Sequence, residues 1–286
     1  MTCKRFYWEG TFEIIETVSL VGLCLFIYSK TELRKQISEI SVRTIKGGIG
    51  GSGNKGAVGV QLTIGRNYCK AHTNSPACLL FWNLHLDSGP HRQEDRAALL
   101  DQILGAEIST SNSSKILLGD FNFRLPGLSP AEVTSLLHAQ RMDDLLACDE
   151  WNSGLLRSRL KRTVQLKEGP ITFPPTYKFI IGCEGTAYHP ERAPAWCDRI
   201  LISGEGKIAA YGSLTGVNSS DHKPVVGLVK LNNVRLSSES ILWTRRARVE
   251  DEWVLIEDPS TKEVASSDSP EDRLPDATRT FIDLLA

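Results

Sequence analysis

Residues 115–124 read KILLGDFNFR, an apolar run that leads directly into alternating polar and aromatic side chains. The run 115–119 predicts a short buried strand, and Asp120, Asn122 and Arg124 follow at its end. Loops at strand ends commonly carry catalytic groups. A carboxylate, an amide and a guanidinium together suit phosphate chemistry, because they can position a water or metal, donate to phosphate oxygens and neutralise charge. An Asx-type turn that closes the strand is the structural alternative.

Further strands and helices are predicted on both sides of this stretch. Apolar or alternating runs predict strands over 17–29, 37–46, 57–64, 77–86, 197–203 and 223–231. Helical spacing predicts helices over 91–108, 129–140, 143–149 and 151–162, the second starting at an N-cap, Ser129, followed by Pro130. A glycine-rich turn over 47–56 separates two strands. Strands with intervening helices predict an α/β or α+β fold.

Composition narrows the class of protein. The chain has 286 residues, of which 41% are hydrophobic and 23% charged, which is typical of a globular enzyme and too apolar for a disordered chain. No apolar run reaches the ~18 residues of a transmembrane helix. Seven cysteines without a CxxC pair argue against a disulfide framework and a structural zinc site, so a cytosolic protein is expected.

Charge is distributed unevenly along the chain. Residues 250–286 contain 11 acidic and 3 basic residues, which leaves 30 basic against 23 acidic residues over 1–249. A modestly basic body suits an anionic substrate or membrane surface. The amino-acid composition changes near residue 232. The segment 259–279 is rich in Ser, Asp, Glu and Pro, which is typical of a flexible tail. The expected organisation is therefore a domain over 1–231 and an acidic, largely flexible extension over 232–286.

Three more polar clusters lie at or next to predicted strands. In NLHLDSG (83–89), His85 shares a strand face with Asn83, while the leucines between and after them face the core. In PAWCDRIL (194–201), Asp198 and Arg199 open a strand, and a surface Asp–Arg pair is the structural alternative.

The last cluster, SSDHKPV (219–225), places Asp221 beside His222. Adjacent side chains point in different directions, so His222 is expected to pair with a carboxylate elsewhere, such as Asp198. A histidine held by a carboxylate can act as a cationic ligand or proton donor to a phosphate. Asp221 is then free to approach a metal ion.

In the order NxHL, GDxNxR, PxWCDRI and SDHKPV, these clusters resemble the inositol polyphosphate 5-phosphatases, within the superfamily of metal-dependent endonucleases, exonucleases and phosphatases. The resemblance runs from about Val18 to Leu231 and includes GNKGAV (53–58) and EGPITFPPTYKF (168–179). It implies a four-layer sandwich of two mixed β-sheets flanked by helices. It also implies Mg²⁺-dependent removal of the 5-phosphate from phosphoinositide lipids or soluble inositol polyphosphates by direct water attack. A cytoplasmic location, peripheral membrane contact and no nucleic-acid partner are expected.

The resemblance assigns roles residue by residue. Asp120 would activate or orient the attacking water, and Asn122 would contact the scissile phosphate. His222 would stabilise the transition state, oriented by Asp198, and His85 would hydrogen-bond the same phosphate. Positioning and charge stabilisation of this kind are what phosphoryl transfer needs.

The remaining implied roles concern the metal and the rest of the substrate. Asp221 would lie beside Mg²⁺. The side chains implied to bind substrate are Lys55, Arg124, Tyr177, Lys178 and Arg192. Pro190 stands where the family usually has a lysine, so recognition of the 4-phosphate is expected to be weaker. Cys197 is in the wrong setting for a nucleophile, and no phosphoenzyme is expected.

The chain departs from the family's pattern at its front. The family's Thr-Trp-Asn type motif, and its Gln-Glu motif with the principal Mg²⁺ ligand, do not occur before Val18. A catalytic domain lacking its first two strands or so, and with them the metal-binding glutamate, is therefore expected. Two alternatives stay open, a non-catalytic phosphoinositide-binding scaffold and a nuclease of the same superfamily.

Overall fold

The computed structural model describes residues 12–64, 77–106, 113–161, 165–182, 187–204, 206–231, 247–249, 252–254 and 280–285. The strands are β1 (Phe12–Leu20), β2 (Leu23–Lys30), β3 (Ile37–Gly47), β4 (Lys55–Ile64), β5 (Ala77–His85), β6 (Ser113–Asp120), β7 (Lys167–Glu168), β8 (Asp198–Ser203), β9 (Gly206–Ser213), β10 (Val225–Leu231), β11 (Ala247–Val249), β12 (Glu252–Val254) and β13 (Thr280–Leu285). The helices are α1 (Thr31–Arg34), α2 (Gln93–Gly105), α3 (Pro130–His138) and α4 (Met142–Cys148), with 3₁₀ turns at Ile49–Gly51 and Arg157–Arg159.

A six-stranded mixed sheet forms the centre of the fold. Its strand order is β3-β4-β5-β6-β8-β7, and only the β5–β6 pair is parallel. The parallel pair is connected through α2, as parallel strands require a crossover. Two small sheets, the β1–β2 hairpin and the β13-β10-β9 sheet, contribute to a core shared with the central sheet.

Two hydrophobic cores lie on the two faces of the central sheet. The first core joins it to the two small sheets, and includes Leu25 of β2, Val60 of β4 and Val229 of β10. The second core lies between the sheet and α2, where Trp82 and Leu100 are fully buried. The predicted mixed α/β sandwich is thereby confirmed. Among the described residues, no helix is long and apolar enough to cross a membrane.

Most predicted elements form close to their expected bounds. The helix expected over 129–140 is α3, whose Ser129 cap and Glu132 form a capping box in which each side chain accepts from the other's backbone N–H. The prediction of a helix over 151–162 is wrong, since the only helical turn described in this segment is the 3₁₀ turn Arg157–Arg159. Buried Trp151 and Leu156 anchor it as a compact loop. β9 was missed because its residues are only half buried and carry little apolar pattern.

The single strand predicted over 17–29 is also wrong, because this segment forms a hairpin. The chain turns at Val21–Gly22, and β1 and β2 pair antiparallel. In β2, Leu23, Leu25 and Ile27 are buried while the intervening residues are exposed. Those exposed residues include Phe26 and Tyr28, so the expected apolar–polar alternation is absent from the sequence.

The structure describes three short segments of the C-terminal extension, 247–249, 252–254 and 280–285. The segment 259–279, predicted to be flexible, lies outside the described residues. The strand β13 pairs antiparallel with β10, from Leu285 opposite Val226 to Thr280 opposite Leu231. The extension beyond 231 therefore returns to the second small sheet at its end. The boundary proposed between 231 and 232 remains a prediction.

Candidate active site

Three of the sequence clusters meet at one end of the central sheet. His85 is the last residue of β5, Asp120 the last of β6 and Asp198 the first of β8. Asp120 lies opposite His85 in the parallel pair and opposite Asp198 in the antiparallel pair. Strand pairing therefore sets these three side chains, each from a different sequence cluster, side by side.

Asp120 is held as an acceptor by several donors. Its Oδ1 accepts from the backbone N–H of Asn122 at 2.8 Å, and its Oδ2 accepts from Asn122 Nδ2 at 2.9 Å. His85 Nε2 lies 3.1 Å from Oδ2. Burial alone would raise the pKa of Asp120, but the hydrogen bond from His85 and the charge of His222 outweigh it and lower that pKa. Asp120 is thus a carboxylate at neutral pH.

The side chain of Asn122 is hydrogen-bonded within the protein, mainly to Asp120. Its amide hydrogens go to Asp120 and to the Leu86 carbonyl, at 3.1 Å, and its Oδ1 accepts from Arg124. Its φ of 52° is left-handed, a conformation that asparagine tolerates better than most residues. In this arrangement Asn122 positions the carboxylate, whereas the resemblance implies a contact to the scissile phosphate.

Lys55 adds a cation to the same side of the site. Its Nζ contacts His85 Nε2, the nitrogen that also faces Asp120. When that nitrogen carries the proton and donates to Asp120, it cannot accept from Lys55. The N–H groups of the ammonium can then donate to another acceptor. Burial lowers the pKa of Lys55, while the charges of Asp120 and Asp87 oppose that shift. Convergent donors of this kind suit a phosphoryl oxygen.

His222 is paired with Asp198, as the sequence predicted. His222 Nδ1 lies 2.9 Å from Asp198 Oδ2, and Thr176 Oγ1 donates to the same oxygen at 2.7 Å. Burial raises the pKa of Asp198. Burial would lower the pKa of His222, but the hydrogen bond to Asp198 and the nearby carboxylates raise it. The raised pKa favours the imidazolium form of the ring. Thr176 was not singled out from sequence, although it lies in the quoted PPTYK segment.

Three side chains of the site offer ligand atoms for a divalent cation. Within the described parts of the chain, Asp120, Asp198 and His222 offer ligand atoms that all lie within 4.8 Å of one another. Mg²⁺ prefers carboxylate and water oxygens. Asp120 fits this preference because its pKa is lowered and its side chain is partly exposed, whereas Asp198 is buried and its pKa is raised by that burial. Asp120 is thus the residue best suited to hold the ion.

Asp221 lies apart from this group. Its carboxylate forms an ion pair with Lys178, with Nζ 2.9 Å from Oδ2, and both side chains are about one-third exposed. Burial would raise the pKa of Asp221, but the bond from Lys178 lowers it. The structure therefore joins two predicted residues, the metal ligand Asp221 and the substrate ligand Lys178, to each other. Arg192 is exposed, and its charge acts on Lys178.

Tyr177 connects the two halves of the site. The guanidinium of Arg124 lies 4.6 Å from the Tyr177 ring centroid, and the Tyr177 ring lies 4.7 Å from that of His222. Arg124 also donates to Asn122 Oδ1. A planar guanidinium can stack and donate at the same time. Arg124 and Tyr177 are therefore placed to hold Asn122 and His222 in fixed positions.

A buried ionic network supports the site from behind. Arg199 is fully buried and bonds Asp149 at 3.1 Å and Glu168 at 2.6 Å. Its guanidinium also lies 5.4 Å from the ring of Phe123, within the GDFNFR loop. The alternative of a surface Asp198–Arg199 pair is wrong, because neighbouring strand residues point to opposite faces of the sheet. Asp198 reaches the site and Arg199 reaches the network.

Cys197 has the properties of a core residue. It is fully buried, its Sγ lies 3.6 Å from the Phe123 carbonyl, and burial raises the pKa of the thiol well above its usual value. A protonated, inaccessible thiol is a poor nucleophile. That no phosphoenzyme forms on this residue stays a prediction.

Comparison of folds alone leaves the function open. A crystal structure of a Cimex nitrophorin superposes with a TM-score of 0.61 over 76% of this chain and 73% of that chain, at 19% identity. At that identity the likeness concerns only the fold. One fold can host unrelated functions, so the function has to be argued from the site.

Inositol polyphosphate 5-phosphatases are among the relatives by sequence. The type II inositol 1,4,5-trisphosphate 5-phosphatase of Mus musculus is 31% identical over 248 residues, covering 82% of this chain and 24% of that protein. This chain therefore spans about a quarter of the mouse protein. The inositol polyphosphate 5-phosphatase domain of spsynaptojanin, solved with inositol (1,4)-bisphosphate and calcium ion, is 29% identical with a TM-score of 0.62, covering 75% of this chain and 61% of that chain.

A sequence profile extends the likeness over most of the chain. The profile of Endonuclease/Exonuclease/phosphatase family 2 matches residues 5–228, a span that includes all four polar clusters. Because this match covers well over half of the sequence, the chain belongs to the endonuclease/exonuclease/phosphatase family, with inositol polyphosphate 5-phosphatases among its relatives.

Proposed function

We propose that this chain is a Mg²⁺-dependent phosphatase that removes the 5-phosphate from phosphoinositides or soluble inositol polyphosphates. The observation that carries the proposal is the ionised Asp120 set between two histidines, one of which is paired with Asp198. The four motifs and the relatives named above support the inositol substrate class. A cytoplasmic location with peripheral membrane contact, and no nucleic-acid partner, belong to the same proposal.

The chain's own residues can divide the work of water attack on a phosphate monoester. Asp120 accepts a hydrogen bond from the attacking water and orients it. The imidazolium of His222, held through Nδ1 by Asp198, donates from Nε2 to a phosphoryl oxygen. The ammonium of Lys55 donates on the other side, while His85 holds Asp120 through Nε2. A cation held by Asp120 would add charge stabilisation at the phosphoryl oxygens.

The direct test is inorganic phosphate release from phosphatidylinositol 4,5-bisphosphate and, separately, from inositol 1,4,5-trisphosphate. Release is expected with Mg²⁺ and not with EDTA. Asp120→Ala is expected to lower kcat by about 10²- to 10⁴-fold, the usual contribution of a positioned base. Asp144→Ala is the matched control, because Asp144 is an exposed carboxylate paired with Arg141. Release that survives EDTA or Asp120→Ala would contradict the proposal.

One observation favours a second candidate, a phosphoinositide-binding protein without catalysis. The candidate metal group contains two carboxylates and one imidazole among the described residues, a small set for a cation that takes oxygen ligands. This candidate predicts lipid binding that needs no Mg²⁺ and survives Asp120→Ala. Absence of phosphate release from folded protein, together with such binding, would favour it over the phosphatase.

A further prediction separates positioning from substrate binding at Arg124. Arg124→Lys keeps the charge but loses the planar group that stacks on Tyr177 and donates to Asn122. We expect kcat on the soluble substrate to fall about 10- to 10²-fold, as for small misplacements of catalytic groups, with KM nearly unchanged. Arg141→Lys, at an exposed ion pair, is the control. A rise in KM at unchanged kcat would instead assign Arg124 to substrate binding.

A further inference from the structure

The strand β3 forms one edge of the central sheet. It runs over Ile37–Gly47 and, among the described residues, pairs only with β4 on its inner side. A free edge presents a row of backbone N–H and C=O groups with which another strand can pair. The register with β4 shifts between Ile37 and Glu39 and is regular from Glu39 to Gly47. The free edge is therefore regular over most of its length.

Side chains along this edge are only partly covered. Val42 is 44% exposed, although Val60, its partner in β4, is fully buried. Ile40 shares a strand face with Val42 and is half buried. On the other face Glu39 is exposed and Arg43 is half buried, and neither forms an ion pair within the described part of the chain. The edge thus leaves both apolar area and charge that a second strand could cover.

The sequence of this stretch is complementary to itself in the opposite direction. An antiparallel pair in which Ser41 faces the same residue of a second copy sets Ile40 opposite Val42 and Glu39 opposite Arg43. A twofold axis repeats both pairs, because each copy presents the same residues to the other. Residues directly opposite each other in an antiparallel pair point to the same side, and apolar or oppositely charged pairs stabilise it.

No neighbouring register gives the same match. A twofold axis perpendicular to the sheet passes through a residue of the strand, because a slip by one residue would turn side chains to the other face. An axis through Ile40 or Val42 leaves Glu39 opposite an uncharged residue. An axis through Glu39 or Arg43 sets like charges opposite each other, which destabilises the pair. The charges therefore select the axis through Ser41.

We propose that two copies of this chain associate through β3, antiparallel about a twofold axis at Ser41, so that their central sheets join into one. Charged residues on an edge strand commonly discourage pairing with other strands. In this register the same charges attract, so the edge favours a second copy over an unrelated peptide. A contact confined to one strand of each copy is smaller than a standard interface of ~1,600 Å², and a dissociation constant of about 1–100 µM is expected.

The proposed dimer leaves both candidate sites open. The end of β3 at Gly47 lies opposite Lys55, whereas Ser41 lies opposite Gln61. The axis is therefore about 20 Å from Lys55 along the strand. Because the two copies of β3 run antiparallel, the two sites lie at opposite ends of the joined sheet. The proposal is independent of the proposed function, and phosphate release per chain is expected to be unchanged by dimerisation.

Sedimentation equilibrium of the full chain over about 1–200 µM tests the association. The native chain is expected to convert from monomer to dimer over this range. Glu39→Arg and Arg43→Glu each set like charges opposite each other twice per dimer, so each is expected to weaken dimerisation about 10-fold or more. The double variant Glu39→Arg/Arg43→Glu restores unlike pairs and is expected to recover the native affinity. Arg141→Glu is the matched control, because Arg141 is exposed on another element.

Oxidative cross-linking tests the register directly. Ser41→Cys sets a thiol on the axis, opposite the same thiol of the second copy, and is expected to give a disulfide-linked dimer. Thr44→Cys is the control, because Thr44 is exposed on the same strand but would lie about 20 Å from its own copy. Thermal unfolding confirms that each variant is folded.

Three outcomes would overturn the dimer proposal. The first is a native chain that stays monomeric over the whole concentration range. The second is a double charge variant that associates no more tightly than the single variants, since the opposed Glu39 and Arg43 would then not set the register. The third is Thr44→Cys cross-linking as readily as Ser41→Cys.

Discussion

Changing Asp198 to asparagine is expected to lower the kcat of phosphate release by about 10³- to 10⁴-fold, the loss seen when a histidine's orienting carboxylate becomes an amide. Asp198 Oδ2 accepts from both His222 Nδ1 and Thr176 Oγ1. An asparagine side chain can turn its NH₂ group toward the ring, which favours the wrong tautomer and removes the charge that stabilises the imidazolium. Initial-rate kinetics on inositol 1,4,5-trisphosphate measure the effect.

The pH profile gives this prediction a second readout. The raised pKa of His222 means that the protonated ring persists above the ordinary histidine pKa, and activity that needs it is lost as pH rises through the raised value. Asp198→Asn removes the main cause of the shift, so the alkaline limb is expected to move to lower pH. Thr176→Val, which removes one hydrogen bond to Asp198, is expected to give a smaller loss in the same direction. Unchanged kcat and an unchanged alkaline limb would contradict the role of Asp198.

Changing Arg199 to methionine is expected to lower the free energy of unfolding by about 3–5 kcal/mol, the usual cost of removing one partner from a buried ion pair. Arg199 is fully buried against Asp149 and Glu168, and Tyr211 donates to Glu168 at 2.8 Å. Without the guanidinium, two carboxylates stay buried with too few donors. Because Arg199 also faces the Phe123 ring, the GDFNFR loop is expected to loosen.

Urea or thermal unfolding measures this loss, with the melting temperature expected to fall by about 10 °C. Arg141→Met is the matched control, because Arg141 pairs with Asp144 at the surface. Exposed ion pairs contribute about 0–1 kcal/mol, so the control is expected to unfold close to the native temperature. Equal stabilities of the two variants would show that the buried network contributes no more than a surface pair.

The sequence patterns predicted correctly those elements in which the apolar residues are the buried ones. The strands β4, β5 and β6 are mostly buried, and their apolar runs identify them directly. The β1–β2 hairpin was hidden because apolar residues occupy both its faces, with Phe26 and Tyr28 turned outward. The loop after Trp151 was misread because its buried side chains imitate helical spacing while Gly154 adopts a left-handed φ of 78°. The spacing of apolar residues reveals which side chains are buried only when the other face of the strand or helix is polar and exposed to water.

The sequence by itself determined the chemistry available to this protein. It supplied the polar clusters at strand ends, the order that indicates the family, and the expectation that His222 needs a distant carboxylate. The tertiary structure decided which groups act together: Asp120 with His85, Asp221 with Lys178, and Arg124 with Tyr177. These pairs join residues up to 53 positions apart, and their geometry follows from strand register and loop packing. A motif names the side chains, but only the sheet fixes the distances between them.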